Sequence, residues 1–233
     1  MKDWLYRFDT VRNLKERVRP YVTKPHDIYE VIREIGDAKV VYDVGASVGD
    51  KTLTFLRAFP GAWVVAFEPN PFSFVKLWKR TRNYWNRTQL FQCVVGEKLG
   101  MTKLHMLSYP DASSVYPISS FLKAQGKIET ATLELVSMMT IDTLMADRVD
   151  LLKIDVEGSE LAVLQGAART LENTKNVFIE VLYPPRWPDT SFEVFDLLTS
   201  SGFKLRRKHL FSGVTESPTT FIKTIIVRTW MSP

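Results

Sequence analysis

The run Val40-Val41-Tyr42-Asp43-Val44-Gly45-Ala46-Ser47-Val48-Gly49-Asp50 decides how this chain folds. Its first five residues are mostly β-branched or aromatic and predict a buried strand, which a glycine-bounded turn separates from a stretch of helical period. The same strand-then-helix pattern recurs along the chain. It predicts strands at Val40–Val44, Trp63–Phe67, Gln89–Val95, Leu151–Val156 and Val177–Leu182, and helices at Ile28–Ile35, Lys51–Phe59, Phe72–Tyr84, Ser159–Leu171 and Phe192–Ser200. This alternation predicts an α/β fold with a doubly wound, mostly parallel sheet.

The end and the middle of the chain depart from this pattern. Two alternating segments, Phe203–Leu210 and Phe221–Thr229, predict a closing antiparallel hairpin. Residues 97–150 lack a clear period, and we expect them to be less regular. The pattern shows no internal repeat or linker, so we expect one domain over residues 38–233, preceded by a helical extension over residues 1–37.

The composition fits an ordinary globular chain. Of 233 residues, 45% are hydrophobic and 24% are charged, which excludes disordered, collagen-like and coiled-coil classes. The single cysteine, Cys93, rules out an internal disulfide, and with only three histidines in the chain a structural zinc site is not expected. No apolar run approaches the ~18 residues of a membrane-spanning helix, and no signal peptide is predicted. We therefore expect a cytoplasmic protein.

The net charge of +5 is concentrated near the start of the chain. Residues 1–24 carry seven basic and three acidic side chains, a surplus of +4, so the remainder carries only +1. Apolar residues in this segment recur at helical spacing and predict a basic helix (Trp4, Leu5, Phe8, Val11, Leu14 and Val18). Either this helix packs on the domain with a solvated basic face, or it makes a weak contact with an anionic surface. Because the rest of the chain is nearly neutral, no nucleic-acid partner is expected.

Acidic residues stand at the carboxyl ends of four predicted strands: Asp43, Glu68, Asp155 and Glu180. In a doubly wound sheet, ligands bind beyond this edge, where the strand order reverses. With neighbouring strands ~4.8 Å apart, the outermost of these carboxylates would lie roughly 14 Å from each other, which is too far for one metal ion. The row suits an elongated cationic ligand. No metal is expected, and a divalent ion at Asp155, Glu157 and Glu180 is the alternative.

The glycine turn after the first strand is compatible with three kinds of site. A dinucleotide site needs G-x-G-x-x-G, whereas Gly45 and Gly49 are spaced G-x-x-x-G, and the Asp43 carboxylate would repel a pyrophosphate. The same residues spell G-x-S-x-G around Ser47, the pattern of a hydrolase nucleophile, with His209 following in the right order. Against that interpretation, a hydrolase turn follows several strands, and only helices precede this one. S-adenosylmethionine, which is cationic and has no phosphate, suits the carboxylate best.

Glu68 follows the second strand in Phe67-Glu68-Pro69-Asn70, 23 residues after Gly45. An acid at this position can accept hydrogen bonds from both hydroxyls of a ribose. The alternative is a cap for the next helix, a role that Asn70 or Ser73 could also fill.

The third and fourth strands contribute different chemistry. No acid follows the third strand, so Cys93 and Val94 are expected to hold an adenine ring by apolar contact and backbone groups. In the fourth strand, Lys153 and Asp155 are two residues apart and share a face of the sheet. Charges are unusual inside a central parallel strand, so the pair is either a buried structural ion pair or part of the site.

Several segments together resemble the FkbM-type S-adenosylmethionine-dependent methyltransferases. They are DVGASVGD at 43–50, FEPN at 67–70, TIDTL at 140–144, VDLLKIDVEGSE at 149–160, VLQGA at 163–167 and Glu180-Val181. The resemblance spans residues 38–183 and implies a Rossmann-like sheet of seven strands in the order 3-2-1-4-5-7-6. It also implies an O-methyltransferase with S-adenosylmethionine as cofactor and a hydroxyl of a sugar, glycan or secondary metabolite as acceptor.

The resemblance also implies roles for individual residues. Asp43 and Gly45 would face the methionine part of the cofactor, Glu68 the ribose, and Asp155 the transferred methyl. Ser113 or Ser114 would take the place of a serine that members of the family often have. The predicted cofactor-binding residues are Asp43, Gly45, Ser47, Gly49, Glu68, Pro69, Asn70, Cys93, Val94 and Asp155.

The predicted catalytic residues begin with Asp155, as the base or as the group that orients the acceptor. Glu180 and Glu157 follow, and Lys153 would pair with the carboxylate. Residues 1–37 and 184–190 are expected to carry acceptor specificity. The alternatives are methyl transfer to a nitrogen or a carboxylate, a noncatalytic binding module, and a nicotinamide-binding protein on the same fold.

Overall fold

A computed structural model of the chain describes residues 28–107, 113–117, 130–181, 190–212 and 220–227. The predicted basic helix and most of the segment 184–190 lie outside these residues. Short 3₁₀ turns occupy Arg82–Arg87 and Ile141–Leu144. The other elements, in chain order, are α1 (Ile28–Ile35), β1 (Val40–Val44), α2 (Asp50–Ala58), β2 (Trp63–Phe67), α3 (Pro71–Thr81), β3 (Thr88–Phe91), β4 (Val94–Val95), β5 (Gly100–Leu107), β6 (Thr130–Met139), β7 (Leu151–Ile154), α4 (Glu160–Gln165), α5 (Ala168–Glu172), β8 (Asn176–Val181), α6 (Ser191–Ser200), β9 (Lys204–Ser212) and β10 (Thr220–Val227).

The main sheet has the strand order β3-β2-β1-β7-β8-β10-β9. The five strands from β3 to β8 are parallel, and β10 runs antiparallel to both of its neighbours. Because β2 and β7 flank β1, the order reverses at β1 and a crevice forms beyond the carboxyl ends of these strands. The predicted α/β fold with a mostly parallel sheet is confirmed.

The sheet separates two hydrophobic cores. Tyr42 and Val44 of β1 pack in the core that contains residues of α4, α5 and α6, whereas Val41 packs with residues of α1 and α2. Side chains alternate along a strand, so Asp43 lies on the α2 side together with Val41. By the same alternation, Lys153 of β7 lies on this side, two residues after the buried Leu151. This placement puts both charged side chains beneath α2.

The sequence predicted one strand over residues 89–95, but the structure has two strands there. β3 ends at Phe91, and β4 belongs to a separate three-stranded sheet of order β4-β6-β5. Residues 97–150, expected to be irregular, supply the long antiparallel pair of β5 and β6. In β6, Leu133, Glu134 and Leu135 are all exposed, so the strand lacks the apolar and polar alternation that reveals a half-buried strand.

The helix predicted at 159–171 is two helices. A Cβ at Gly166 would lie 1.9 Å from the Gly96 carbonyl oxygen, so the break sits where two backbone segments touch. The Asp142 carboxylate then starts α5 by accepting hydrogen bonds from the backbone amides of Arg169 at 3.0 Å and Thr170 at 2.8 Å. A contact over this sequence distance leaves no signature in helical periodicity.

Candidate active site

A cavity of about 270 Å³ opens beyond the carboxyl ends of β1, β2 and β7. Concave sites at this switch point are where doubly wound proteins bind their ligands. The lining comes from the turn after β1 (residues 44–48), Glu68 and Pro69 after β2, residues 93–95, residues 113–115, and Lys153 with residues 155–157 around the end of β7. Most of the predicted cofactor-binding residues therefore meet in one cavity.

The turn after β1 depends on glycine at two positions for different reasons. Gly45 has a φ of +76°, and a Cβ there would lie 1.9 Å from the carbonyl oxygen of Asp155, so glycine lets the turn touch the end of β7. Gly49 has a φ of +89° at the start of α2, and its missing Cβ would lie 2.7 Å from Leu77 of α3. Gly49 does not line the cavity. The close approach to Leu77 gives Gly49 a role in helix packing, and its contact with the cofactor stays a prediction.

Glu68 lines the cavity although only 6% of the residue is exposed. Its Oε2 accepts a hydrogen bond from the Ser47 amide at 2.7 Å, and its Oε1 accepts one from the Asn70 amide at 2.8 Å. Burial raises the pKa of Glu68 to about 7, against the lowering effect of these two hydrogen bonds. A carboxylate oxygen can accept more than one hydrogen bond, so both oxygens can still accept from a hydroxyl.

Asn70 caps α3 and does not line the cavity. Its Oδ1 accepts from the Phe72 amide at 2.9 Å, and its Nδ2 donates to the Ser113 hydroxyl at 2.9 Å. Asn70 therefore fills the capping role that the sequence offered as the alternative, and its contact with the cofactor stays a prediction.

Ser113 and Ser114 form one wall of the cavity. Ser114 exchanges two backbone hydrogen bonds with His105 of β5, at 2.8 and 3.1 Å. Its hydroxyl donates to the Glu157 carbonyl oxygen at 2.9 Å, which joins this wall to the loop after β7. Both serines that the family resemblance offered as candidates, Ser113 and Ser114, thus line the cavity.

The cavity lining also includes apolar groups. Cys93 and Val94 line it, as predicted, together with Leu104 and Val115. Burial raises the pKa of the Cys93 thiol to about 12, so this side chain is neutral at physiological pH. The wall suits a flat, uncharged ring.

A buried ion pair lies beneath the turn. The Lys153 ammonium lies 2.9 Å from Asp43 Oδ1 and donates to the Gly45 carbonyl oxygen at 2.6 Å. The other Asp43 oxygen accepts from the Thr52 hydroxyl at 2.6 Å. Burial lowers the pKa of Lys153, but the charges of Asp43 and Asp155 outweigh it and the pKa is raised overall. Lys153 is therefore a buried cation.

Asp43 lies beneath the turn after β1. The residue is fully buried and is absent from the described cavity lining, and its carboxylate is held by Lys153 and Thr52 on the α2 side of the sheet. Asp43 therefore fixes the turn from below, and its role toward the methionine part of the cofactor stays a prediction.

The other predicted carboxylates divide into two groups. Asp155 and Glu157 line the cavity, and the Asp155 side chain is 33% exposed with its Oδ2 at 3.7 Å from Lys153 Nζ. Glu180, at the end of β8, is close enough for its charge to raise the pKa of Lys153, but it is absent from the described cavity lining. The structure thus brings Asp155, Glu157 and Glu68 together and leaves Glu180 outside.

Glu160 is a buried acid to which the sequence analysis gave no role. It is 1% exposed, and its Oε1 accepts from the Gly158 amide at 2.9 Å. Burial, together with the nearby charges of Glu157 and Asp155, raises the pKa of Glu160 to about 8. Its position in the first turn of α4, directly after Gly158-Ser159, is the signal that could have identified it as a residue supporting the loop.

The described residues contain neither a metal-binding cluster nor a membrane-spanning helix. In that part of the chain, no three His, Cys, Asp or Glu side chains are grouped to hold a metal ion. Its helices are also all too short or too polar to cross a membrane.

The order of the main sheet places the chain in the fold class that S-adenosylmethionine-dependent methyltransferases share. Magnesium protoporphyrin IX methyltransferase from Synechocystis, solved with bound S-adenosylmethionine, shares the fold with a TM-score of 0.51 and 11% identity over 87% of this chain and 78% of its own. Methyltransferase FkbM from Methylobacillus flagellatus gives a TM-score of 0.51 and 20% identity over 81% of this chain. That protein is longer, and the present chain spans 43% of it.

The family follows from the sequence comparison. The model of the methyltransferase FkbM domain matches residues 43–205, and the chain belongs to this family. It is 30% identical to 31-O-demethyl-FK506 methyltransferase FkbM of Streptomyces tacrolimicus, over 83% of this chain and 80% of the relative. It is 24% identical to 2-O-methyltransferase NoeI of Sinorhizobium fredii, over 81% of this chain and 86% of the relative. The chain is a methyltransferase, and S-adenosylmethionine is its expected cofactor.

Proposed function

We propose that this protein transfers a methyl group from S-adenosylmethionine to a hydroxyl of a sugar or secondary-metabolite acceptor. The observation that carries the proposal is the position of Glu68, a nearly buried acid that lines the cavity at the end of β2 and is held by the Ser47 and Asn70 amides. An acid fixed at this place is suited to the two hydroxyls of a ribose.

The residues of the cavity fit each part of the cofactor. Glu68 would accept from the ribose hydroxyls, with Pro69 beside it. Cys93 and Val94 would contact the adenine, and the carboxylates of Asp155 and Glu157 would attract the ammonium and sulfonium charges. Gly45 and Ser47 would border the methionine part through the turn after β1. When bound, the cofactor supplies a methyl group activated by the positive sulfur.

Asp155 is the residue we assign to the acceptor. Its carboxylate is partly exposed in the cavity, whereas Lys153 and the contact with Gly45 fix its position from below. It would orient the acceptor hydroxyl and accept its proton, with Glu157 as the second candidate. Orientation can contribute about 7–11 kcal/mol to such a reaction, and a well-placed base can add about 10²–10⁴-fold. Lys153 is a positioning residue because it is buried beneath the turn.

The acceptor class is proposed from the relatives. Two are named O-methyltransferases, and a third, from Haloferax volcanii, is named a hexuronic acid methyltransferase and is 26% identical over 74% of this chain. These names favour an oxygen acceptor on a polyhydroxylated molecule. We propose that residues 1–37 and 184–190 select the acceptor, since the first segment precedes the residues that the family model matches and the second lies outside the motifs that carry the family resemblance.

The test combines binding and turnover. Calorimetry should show that the wild type binds S-adenosylmethionine and that Glu68→Ala loses most of the affinity, whereas the exposed control Glu134→Gln binds like the wild type. Labelled cofactor is then incubated with a panel of sugars and hydroxylated metabolites, and mass spectrometry detects the gain of one CH₂ unit.

Asp155→Asn separates binding from chemistry. This variant should still bind the cofactor through Glu68, Glu157 and the apolar wall, and should lose about 10²–10⁴-fold in turnover, the contribution of a base. Unchanged cofactor affinity in Glu68→Ala would overturn the site assignment, and full turnover in Asp155→Asn would remove Asp155 from the reaction.

A further inference from the structure

The outer side of α3 and the 3₁₀ turn after it expose large apolar side chains next to cations. Phe72, Val75 and Trp78 are 69%, 48% and 56% exposed, and Trp85 in the turn is 79% exposed. Lys76, Lys79 and Arg82 are exposed on the same stretch. We call these seven residues the α3 face.

The α3 face is a product of helical geometry. Phe72, Val75 and Trp78 follow one another at three-residue spacing, and Lys76 and Lys79 follow Phe72 and Val75 at four. These spacings place all five side chains on the outer side of the helix. The inner side is filled by the buried residues Ser73, Leu77 and Thr81. The large apolar side chains are therefore not needed for packing within the described part of the domain, and exposed apolar surface bordered by charges marks an interaction site.

The charge of this surface is one-sided. No acidic residue occurs between Glu68 and Glu97, a stretch that contains the whole α3 face. Within the described residues, Lys76, Lys79 and Arg82 form no ion pair, whereas the neighbouring Arg80 pairs with Asp50. A partner must therefore supply negative charge as well as an apolar layer.

This requirement decides between the possible occupants. A second copy in a two-fold dimer would bring an identical basic surface against this one, and like charges oppose such contacts. The segment 1–24 of the same chain carries a surplus of +4 and is opposed for the same reason. Single-stranded nucleic acid is bound in positively charged grooves with stacking aromatics, whereas this surface is the outside of a helix with Val75 at its centre.

We propose that the α3 face docks the protein on an anionic lipid surface. Phe72, Trp78 and Trp85 would enter the boundary between headgroups and acyl chains, where amphipathic aromatic rings are favoured. The lysines can extend from the helix to anionic headgroups while their carbon chains remain in apolar surroundings. α3 begins three residues after Glu68, so docking holds the cavity near the lipid surface, where an acceptor carried by the membrane would be met. The docking itself does not depend on methyl transfer.

Vesicle flotation of the full chain tests the proposal. Vesicles of equal parts phosphatidylcholine and phosphatidylglycerol should bind the wild type at low salt, and pure phosphatidylcholine vesicles should bind it much less. Lys76→Gln/Lys79→Gln should weaken binding about thirtyfold, roughly fivefold for each lysine. Phe72→Ser/Trp78→Ser should weaken it by about tenfold or more and reduce the blue shift of tryptophan fluorescence that insertion causes.

Matched controls change the same residue types elsewhere. Lys98→Gln/Lys103→Gln removes two exposed lysines, and Leu133→Ser/Leu135→Ser removes two exposed leucines of β6; both should bind like the wild type. Thermal melts and cofactor calorimetry verify that every variant is folded. The proposal is overturned if the wild type does not bind anionic vesicles, or if the controls weaken binding as much as the α3 variants.

Three further outcomes identify another occupant and would equally overturn the proposal. In the first, Arg12→Gln/Lys15→Gln/Arg17→Gln abolishes vesicle binding while the α3 variants retain it. In the second, a uridine oligonucleotide binds as tightly as the vesicles and the α3 variants lose it. In the third, sedimentation shows a dimer that the α3 variants dissociate.

Discussion

Gly45 and Gly36 form a matched pair for testing whether the turn after β1 positions the end of β7. Their φ angles are nearly equal, +76° and +74°, but a Cβ at Gly36 would meet nothing within 4 Å, whereas one at Gly45 would lie 1.9 Å from the Asp155 carbonyl oxygen. Alanine in this left-handed conformation costs about 1–2 kcal/mol at either position. Alanine at Gly45 also forces the Asp155 segment to move away. Its Cβ would lie 1.9 Å from the carbonyl oxygen, and real Cβ atoms come no closer than 3.0 Å, so the segment must shift by at least the difference between these two distances.

This displacement has a separate kinetic consequence. Moving a catalytic group by ~1 Å can cost about 10²-fold in rate, so Gly45→Ala should lower kcat/KM on the acceptor identified in the panel by about that factor. Gly36→Ala should lose only about 2–8 °C in Tm, because 1 kcal/mol corresponds to about 2–4 °C in a chain of this size, and should turn over normally. Thermal melts and initial rates measure both effects. Equal rates and equal Tm values for the two variants would refute the claim that the Gly45 contact sets the position of Asp155.

Three other changes test the buried charges. Burial raises the pKa of Glu160 to about 8 from 4.5, so the folded state holds a proton that the unfolded chain releases and stability is lost as pH rises between these values. Glu160→Gln should remove this loss of stability, which is at most about 5 kcal/mol. In denaturant titrations the variant should be more stable than the wild type at pH 8 but not at pH 5. An unchanged pH dependence of stability counts against the assignment. Lys153→Met leaves the fully buried Asp43 carboxylate without its cation and should lower the free energy of unfolding by about 3–5 kcal/mol. Adding Asp43→Asn should recover much of this loss. Additive losses of the two substitutions in urea unfolding would contradict a direct pair. Burial raises the pKa of Glu68 to about 7, so cofactor affinity should fall as pH drops below 7, by at most tenfold per unit, and calorimetry should find no such fall in Glu68→Gln.

Local patterns were enough to predict the elements that form the frame of the site. α1, β1 and β2 have the bounds that periodicity gives, because each is a short run whose apolar residues pack in the cores on the two sides of the sheet, α1 on one side and the strands on both. The family motifs then located the cavity, since the carboxyl ends of parallel strands meet at one edge of the sheet. Glu68, Asp155, Glu157, Cys93 and Val94 were found by this combination.

The contacts that the sequence did not predict join residues far apart in the chain. Asp43 was expected to face the methionine part of the cofactor, and strand alternation turns its carboxylate toward Thr52 and Lys153. Gly49 shares a motif with Gly45, but its environment is Leu77 of another helix. Which side of a sheet faces a ligand depends on where the helices pack, and a motif does not contain that information.

The two charges inside β7 explain why the core and the site cannot vary independently. Lys153 holds the turn after β1 through the Asp43 carboxylate and the Gly45 carbonyl oxygen. That turn presents the Ser47 amide to Glu68, and its glycine touches the backbone of Asp155. An apolar pair of equal volume could fill the same space and even stabilise the fold, because burying two charges costs free energy of desolvation. It could not hold the Gly45 carbonyl in place, so the ion pair links folding to the geometry of the cavity.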